Sequence, residues 1–276
     1  MGILKNERDQ LQLSENGFIL LDVISDEKLQ ELKRVYTDLH HERLDIPKDV
    51  LYTCLHNDDM EYKKQMHARL SAILIPEIDK LFCNYKTCSF TFQIKGLGEN
   101  TELFVHQDWS YTNELLGHDS YTFWMPLIDS NEENGTLHMA SGSHLRVKGH
   151  RGQGIAGPID NVREYAKKYL KPVRVRAGQI LIFNTAILHY SPSNLSAKSR
   201  VCVMVNIAHE KSDWFLYYSD SAGVVEEYQV PDNFFLLFED FKNEIVQRPK
   251  IGKLRRKFNY ENQILSKERL DFFLLE

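Results

Sequence analysis

The chain has no apolar run that approaches the roughly 20 residues needed to cross a bilayer, so no membrane role is expected. It has no surplus of positive charge either. Its 34 lysines and arginines face 39 acidic residues, a net charge of −5, so a basic footprint for nucleic acid is missing. Cysteine is scarce. Cys54, Cys83, Cys88 and Cys202 show neither metal-site spacing nor a dense disulfide pattern, and a reducing cytoplasm is the expected home. Met1-Gly2-Ile3-Leu4-Lys5 forms no signal-peptide core, and Asn6 stands where a myristoylation pattern has Ser or Thr. There is no internal repeat, no low-complexity segment and no recognisable partner domain, so no protein partner is expected. What remains is ordinary for a soluble globular chain of 276 residues, 42% hydrophobic and 26% charged: one large domain or two small ones, with ample core.

Against that background one constellation stands out. His106-Gln107-Asp108 is followed by His189 and, eleven residues later, by Arg200. Two imidazoles and one carboxylate can occupy one face of an iron ion and leave the other face open. The arginine is a cation suited to pairing with a carboxylate in a planar, two-pronged contact. Residues two apart in a strand share a side, so His106 and Asp108 project together while Gln107 turns away. Leu103-Phe104-Val105 is apolar enough for that strand. Gln179–Phe183 reads as another, with Asn184-Thr185-Ala186 bending the chain before His189. In 200–207, Val201, Val203, Val205 and Ile207 alternate with Arg200, Cys202, Met204 and Asn206. That alternation predicts a strand with two different environments, and Cys202 and Met204 then line whatever cavity Arg200 enters.

Along the rest of the chain, residues 17–24 read as a short buried strand. Ser25 reads as the N-cap of a helix through His40, with a stripe at Leu29, Leu32, Val35, Tyr36 and Leu39. A second helix is expected over 58–82, broken or ended near Pro76. Ser89–Lys95 alternates like a strand, 121–128 forms another, and Asn134-Gly135 signals a tight turn. A long connection, 145–172, carries a short helix at 160–170. Asp232 is expected to cap a helix through Phe241, and Ser266 a last one ending near Leu275. The chain divides into a mostly helical part, 1–87, a β core, 88–210, and a C-terminal extension, 211–276, within one domain. Short strands with helical flanks predict a compact β-barrel or sandwich with helices outside.

His106-Gln107-Asp108-Trp109, Trp124-Met125-Pro126-Leu127, Asn134-Gly135-Thr136-Leu137, Ser141-Gly142-Ser143-His144, Gly178–Asn184, His189 and Arg200 occur in the order of a known family. Over roughly 15–210 the chain resembles the phytanoyl-CoA dioxygenase family of iron(II)- and 2-oxoglutarate-dependent oxygenases. The resemblance implies a mainly β double-stranded β-helix, or jelly roll, with flanking helices. It implies iron ligands at His106, Asp108 and His189 and pairing of Arg200 with the distal carboxylate of 2-oxoglutarate. Iron(II), 2-oxoglutarate and dioxygen are then the cofactor and cosubstrates. Hydroxylation of an unactivated C–H bond in a small metabolite, an amino acid derivative or a natural-product intermediate, is expected, with succinate and carbon dioxide released. The chain departs from the family at Ser141, where proline is usual, and at Gln179, where aspartate is common; both lie in turns.

Other side chains have two readings each. Ser191 either bonds the cosubstrate or is a turn serine before Pro192. Gln93 and Lys95 share a face and either touch cosubstrate or substrate or reflect an edge strand. Thr122 is a further cosubstrate candidate, whereas Trp124 on its face reads as core. Trp109 and Cys202 are candidates for the substrate wall. Arg146, with Lys148, His150 and Arg151, either attracts an acidic substrate group or is a solvated surface. Rival functions are a non-catalytic jelly-roll protein that binds a metal or small molecule, an oxygenase acting on a protein side chain, and desaturation or epoxidation by the same triad.

Overall fold

The computed structural model describes residues 2–275 apart from 23, 42, 44–46, 221 and 222. The chain runs through α1 (Glu7–Asn16), β1 (Phe18–Asp22), α2 (Asp26–His40), β2 (Leu51–Thr53), α3 (Met60–Leu81), β3 (Tyr85–Thr87) and β4 (Thr91–Lys95). It continues through β5 (Leu103–His106), β6 (Ser120–Pro126), β7 (His138–Met139), α4 (Ser143–Arg146), α5 (Arg163–Ala166), β8 (Lys171–Pro172), β9 (Gln179–Asn184) and β10 (His189–Ser191). It closes with β11 (Arg200–His209), β12 (Trp214–Ser219), β13 (Val224–Val230), α6 (Phe241–Glu244), β14 (Lys253–Asn259) and α7 (Lys267–Leu275).

A seven-stranded antiparallel sheet follows the order β1-β9-β6-β11-β4-β2, with β3 also on β11. A four-stranded sheet, β5-β10-β7-β8, packs against it to complete a jelly roll. Alternation in the central strands creates the two layers. Tyr121, Phe123 and Met125 of β6, Ile180 and Ile182 of β9, and Val201, Val203, Val205 and Ile207 of β11 face the helices α2 and α3. Trp124, Leu181, Phe183 and Cys202 face the small sheet, where they meet Leu137, Met139 and Ile187.

Helix α2 starts as expected, with the Ser25 hydroxyl accepting from the Lys28 N–H. The strand expected over 17–24 is Phe18–Asp22, and Val23 lies outside the described residues. Helix α3 runs straight through Pro76 instead of ending there. An interior proline costs about 3 kcal/mol. Fully burying each of Leu70, Ile73, Leu74 and Ile78 against the sheet returns roughly 1.5–3 kcal/mol, so packing wins. Asp232 does not cap a continuous helix; its carboxylate pairs with Lys86 instead. A single 3-10 turn, Phe234–Leu237, and then α6 take that place. The helix expected at 160–170 is α5 followed by a 3-10 turn, Lys167–Tyr169. The extension also forms a sheet of its own, β12-β13-β14, that the sequence reading left out. No disulfide joins the four cysteines.

Candidate metal and cosubstrate site

The inner face of the large sheet is laid out in cross-strand rows. Lys95 lies opposite Arg200, Gln93 opposite Cys202, and Thr91 opposite Met204. Met204 is in turn opposite Trp124, and Asn206 opposite Thr122. On the small sheet, His106 of β5 and His189 of β10 are direct partners. The loop after β5 carries Asp108 across to the large sheet, where Thr122 donates to its Oδ2 at 3.1 Å. Asn206 Nδ2 donates to the Thr122 hydroxyl at 3.2 Å, so two neighbouring strands, β6 and β11, hold the one carboxylate.

The Nε2 atoms of His106 and His189 lie 3.6 and 3.7 Å from Asp108 Oδ1, and one ligand atom from each residue falls within 4.8 Å of the others. His106 Nδ1 meets the Phe104 carbonyl at 2.8 Å and His189 Nδ1 meets the Ile187 carbonyl at 3.0 Å. A carbonyl only accepts, so each Nδ1 carries the proton and each Nε2 presents a lone pair. Burial alone would raise the Asp108 carboxyl, but His189, His106 and the Thr122 hydroxyl outweigh it and hold it at about 2. Burial, reinforced by His106, lowers His189 to about 4. At neutral pH His189 is therefore a neutral donor and Asp108 an anion. Two imidazoles and one carboxylate fit a single divalent metal of intermediate softness.

Behind the triad lies a supporting layer. Gln107 turns away, as the two-residue period requires, and its Nε2 donates to the carbonyls of Val147 and Ala186 at 2.7 and 2.5 Å. Arg151 Nε donates to the Asp108 carbonyl at 2.6 Å, and its Nη2 holds both Glu114 oxygens at 2.8 and 2.6 Å. The basic stretch in the long connection is therefore no cluster. Arg151 is buried on Glu114, and His150 packs among Tyr217, Phe258 and Tyr260. Arg146 sits exposed on α4, away from the cavity wall, so the substrate contact considered for it has no geometric support.

Arg200 is 1% exposed. Its Nη1 donates to the Gly135 carbonyl, its guanidinium lies 5.1 Å from the centre of the Trp124 ring, and its Nε has no partner. Burial lowers it only to about 10, so it stays charged. None of the described carboxylates pairs with it. A buried cation without a counter-ion fits an anionic ligand from outside the chain. Ser191 Oγ donates to the same Gly135 carbonyl at 2.7 Å. Lys95 is fully buried, its Nζ donates to the carbonyls of Thr101, Ser191 and Pro192, the last two at 3.2 and 2.7 Å, and burial with Arg200 beside it lowers it to about 7. It braces this corner and is absent from the cavity wall. Gly135 has φ 73°, and a Cβ there would meet the Pro192 carbonyl oxygen at 2.3 Å.

A cavity of about 600 Å³ opens in front of the triad. His106, Asp108, Thr122, Gln93 and Trp109 border it, whereas His189, Ser191 and Arg200 are buried behind that wall and Cys202 lies behind it too, its thiol near the Gln93 carbonyl at 3.6 Å. Trp124 is in the core as read from the sequence, packed with Leu181 and Phe183. Sequence reasoning passed over Glu114 and Phe235, and placed Phe241 only on an expected helix.

The family model described as phytanoyl-CoA dioxygenase (PhyH) matches residues 15–202. Among solved structures, the 2-oxoglutarate-dependent carbocyclase SnoK of nogalamycin biosynthesis is similar, with TM-score 0.56 and 18% identity over 76% of this chain and 86% of that one. HygX from Streptomyces hygroscopicus, solved with nickel and 2-oxoglutarate, has TM-score 0.52 and 15% identity over 74% and 87%. The epimerase SnoN, solved with Fe3+, 2-oxoglutarate and a nogalamycin compound, has TM-score 0.53 and 18% identity over 75% and 85%. At these identities the likeness shows the jelly-roll fold they share.

Proposed function

The chain belongs to the phytanoyl-CoA dioxygenase family, and from that premise we propose that it is an iron(II)- and 2-oxoglutarate-dependent dioxygenase that hydroxylates an unactivated C–H bond of a small molecule. The observation that carries this reading is a convergent His-Asp-His cluster and a buried, counter-ion-free arginine on the facing walls of one jelly roll. His106 Nε2, Asp108 Oδ1 and His189 Nε2 would hold the metal. The distal carboxylate of 2-oxoglutarate is the counter-ion that Arg200 lacks, with Ser191 and the Trp124 indole beside it. Iron(II) with 2-oxoglutarate and dioxygen supplies the oxidising equivalents, and succinate and carbon dioxide leave as co-products.

The chain's own groups do the rest. Thr122 and Asn206 orient the carboxylate, the Phe104 and Ile187 carbonyls fix the imidazole tautomers, and Gln107 and Arg151 pin the loop between them. SnoK is a carbocyclase and SnoN an epimerase, so the outcome at the substrate carbon is what a test must resolve. The test is succinate formation with isotopically labelled dioxygen. The reading expects oxygen-dependent succinate and one labelled oxygen atom in the product. Succinate without label in the product would replace hydroxylation by another outcome at the same site. Absence of succinate from iron-loaded protein offered 2-oxoglutarate, oxygen and a cavity ligand would favour the non-catalytic reading.

A further inference from the structure

The cavity in front of the triad has a third wall that comes from outside the residues matched by the family. Phe235, Phe241, Ile245 and Val246 close it from the C-terminal extension. Phe241 lies flat on His56, ring centres 3.9 Å apart and planes within 9°. Phe235 meets Tyr111 edge-on at 5.7 Å. Phe235 and Phe241 lie 6.5 Å apart with their planes tilted by 40°, so the wall is an aromatic corner that favours a ring over a flexible chain. A row of uncharged polar side chains on the large sheet, Thr91, Gln93 and Asn206, lines the same cavity. Asn206 has its amide nitrogen committed to Thr122, which leaves its carbonyl for a donor in the cavity.

The charges in the wall are already answered. Arg151 is saturated by Glu114, and Asp108 belongs to the metal site. Asp160 and Arg163 pair with each other at 2.5 Å; the Arg163 Nε is left as one unused donor. His56 is held neutral, since burial, with Lys242 and Lys63 nearby, lowers it to about 4. A carboxylate, phosphate or ammonium brought into this chamber would find no unpaired counter-charge among the described wall residues.

Resting on the oxygenase reading of the site, we propose that the substrate is an uncharged, ring-bearing molecule of drug size, with hydroxyl or amide groups along one edge. Its ring lies in the aromatic corner of Phe235 and Phe241, and its polar edge faces Gln93 and Asn206. The cavity of about 600 Å³ is in the range that takes such ligands. The extension is thus the element that selects the substrate, while the family core supplies the chemistry.

Saturation-transfer NMR on the full chain, without metal, tests this independently of turnover. The probes are the neutral phenolic glycosides phlorizin and arbutin, the anions 4-hydroxyphenylacetate and benzoyl-CoA, and the cation tyramine. The proposal expects at least one neutral glycoside to bind and the charged probes not to. It expects Phe241→Ala to weaken that binding about tenfold or more, and Phe241→Tyr to restore it. Preferential binding of the charged probes, no binding of either glycoside, or indifference to Phe241→Ala in folded protein would overturn it. Glycoside binding without oxygen-dependent succinate would sink the oxygenase reading and leave this assignment of the cavity standing.

Discussion

Arg200 concentrates the electrostatic cost of the site in one residue. Its guanidinium is dehydrated, carries a full charge and has no acidic partner among the described residues. Losing one side of a buried, hydrogen-bonded charge pair costs about 2–5 kcal/mol, so Arg200→Ala is expected to raise the 2-oxoglutarate requirement roughly 30-fold or more. Iron affinity should change little, and steady-state kinetics beside a metal titration separate the two. At the ligands themselves, Asp108→Ala and His189→Ala are expected to abolish both iron retention and succinate formation; wild-type turnover in either would discard the triad. Arg151 and Glu114 form a buried pair, and removing one partner of such a pair costs about 3–5 kcal/mol. Urea unfolding of Arg151→Met should show that loss; less than about 1 kcal/mol would mean the pair is not integral to the loop. The convergence of His106, Asp108 and His189 followed the spacing read from the chain, and the inward turn of Arg200 followed the alternation of its strand. Arg151 could not be read this way: its charge resembles that of Lys148 until the fold buries one and exposes the other.

At the scale of elements, legibility followed periodicity. Strand β11 alternates strictly, and the structure divides it as the alternation predicts, valines toward the helices and Arg200, Cys202, Met204 and Asn206 inward. Helix α2 announced itself through Ser25 and its stripe. Strand β14 did not, because Lys253–Asn259 is exposed along nearly its whole length and has no buried face to alternate with. It is held instead by partners distant in sequence: Arg256 on Glu227, and Lys257 on Glu226. Pro76 misled for the converse reason, since local propensity argued for an end and tertiary packing overrode it. Helix α3 also depends on its cap, the Asp59 carboxylate accepting from the Tyr62 N–H at 3.0 Å. Asp59→Ala is expected to cost about 1 kcal/mol, read as a lower urea midpoint with unchanged slope.

For the whole molecule, the two sheets divide the labour. The small sheet presents the paired imidazoles, and the large sheet presents the carboxylate's support and the buried cation. The extension closes the chamber in front. None of these walls is a site alone, which is why motif order pointed to the reaction class while the cavity emerged only from the fold. The central claim is that metal and 2-oxoglutarate meet in this chamber. The most direct test is an anaerobic titration of metal-free protein with iron(II) and then 2-oxoglutarate, watching for the visible charge-transfer band of the chelated cosubstrate. The account predicts a saturable band in the wild type, absent in Asp108→Ala and needing far more 2-oxoglutarate in Arg200→Ala. Iron bound without any band at saturating 2-oxoglutarate would contradict it.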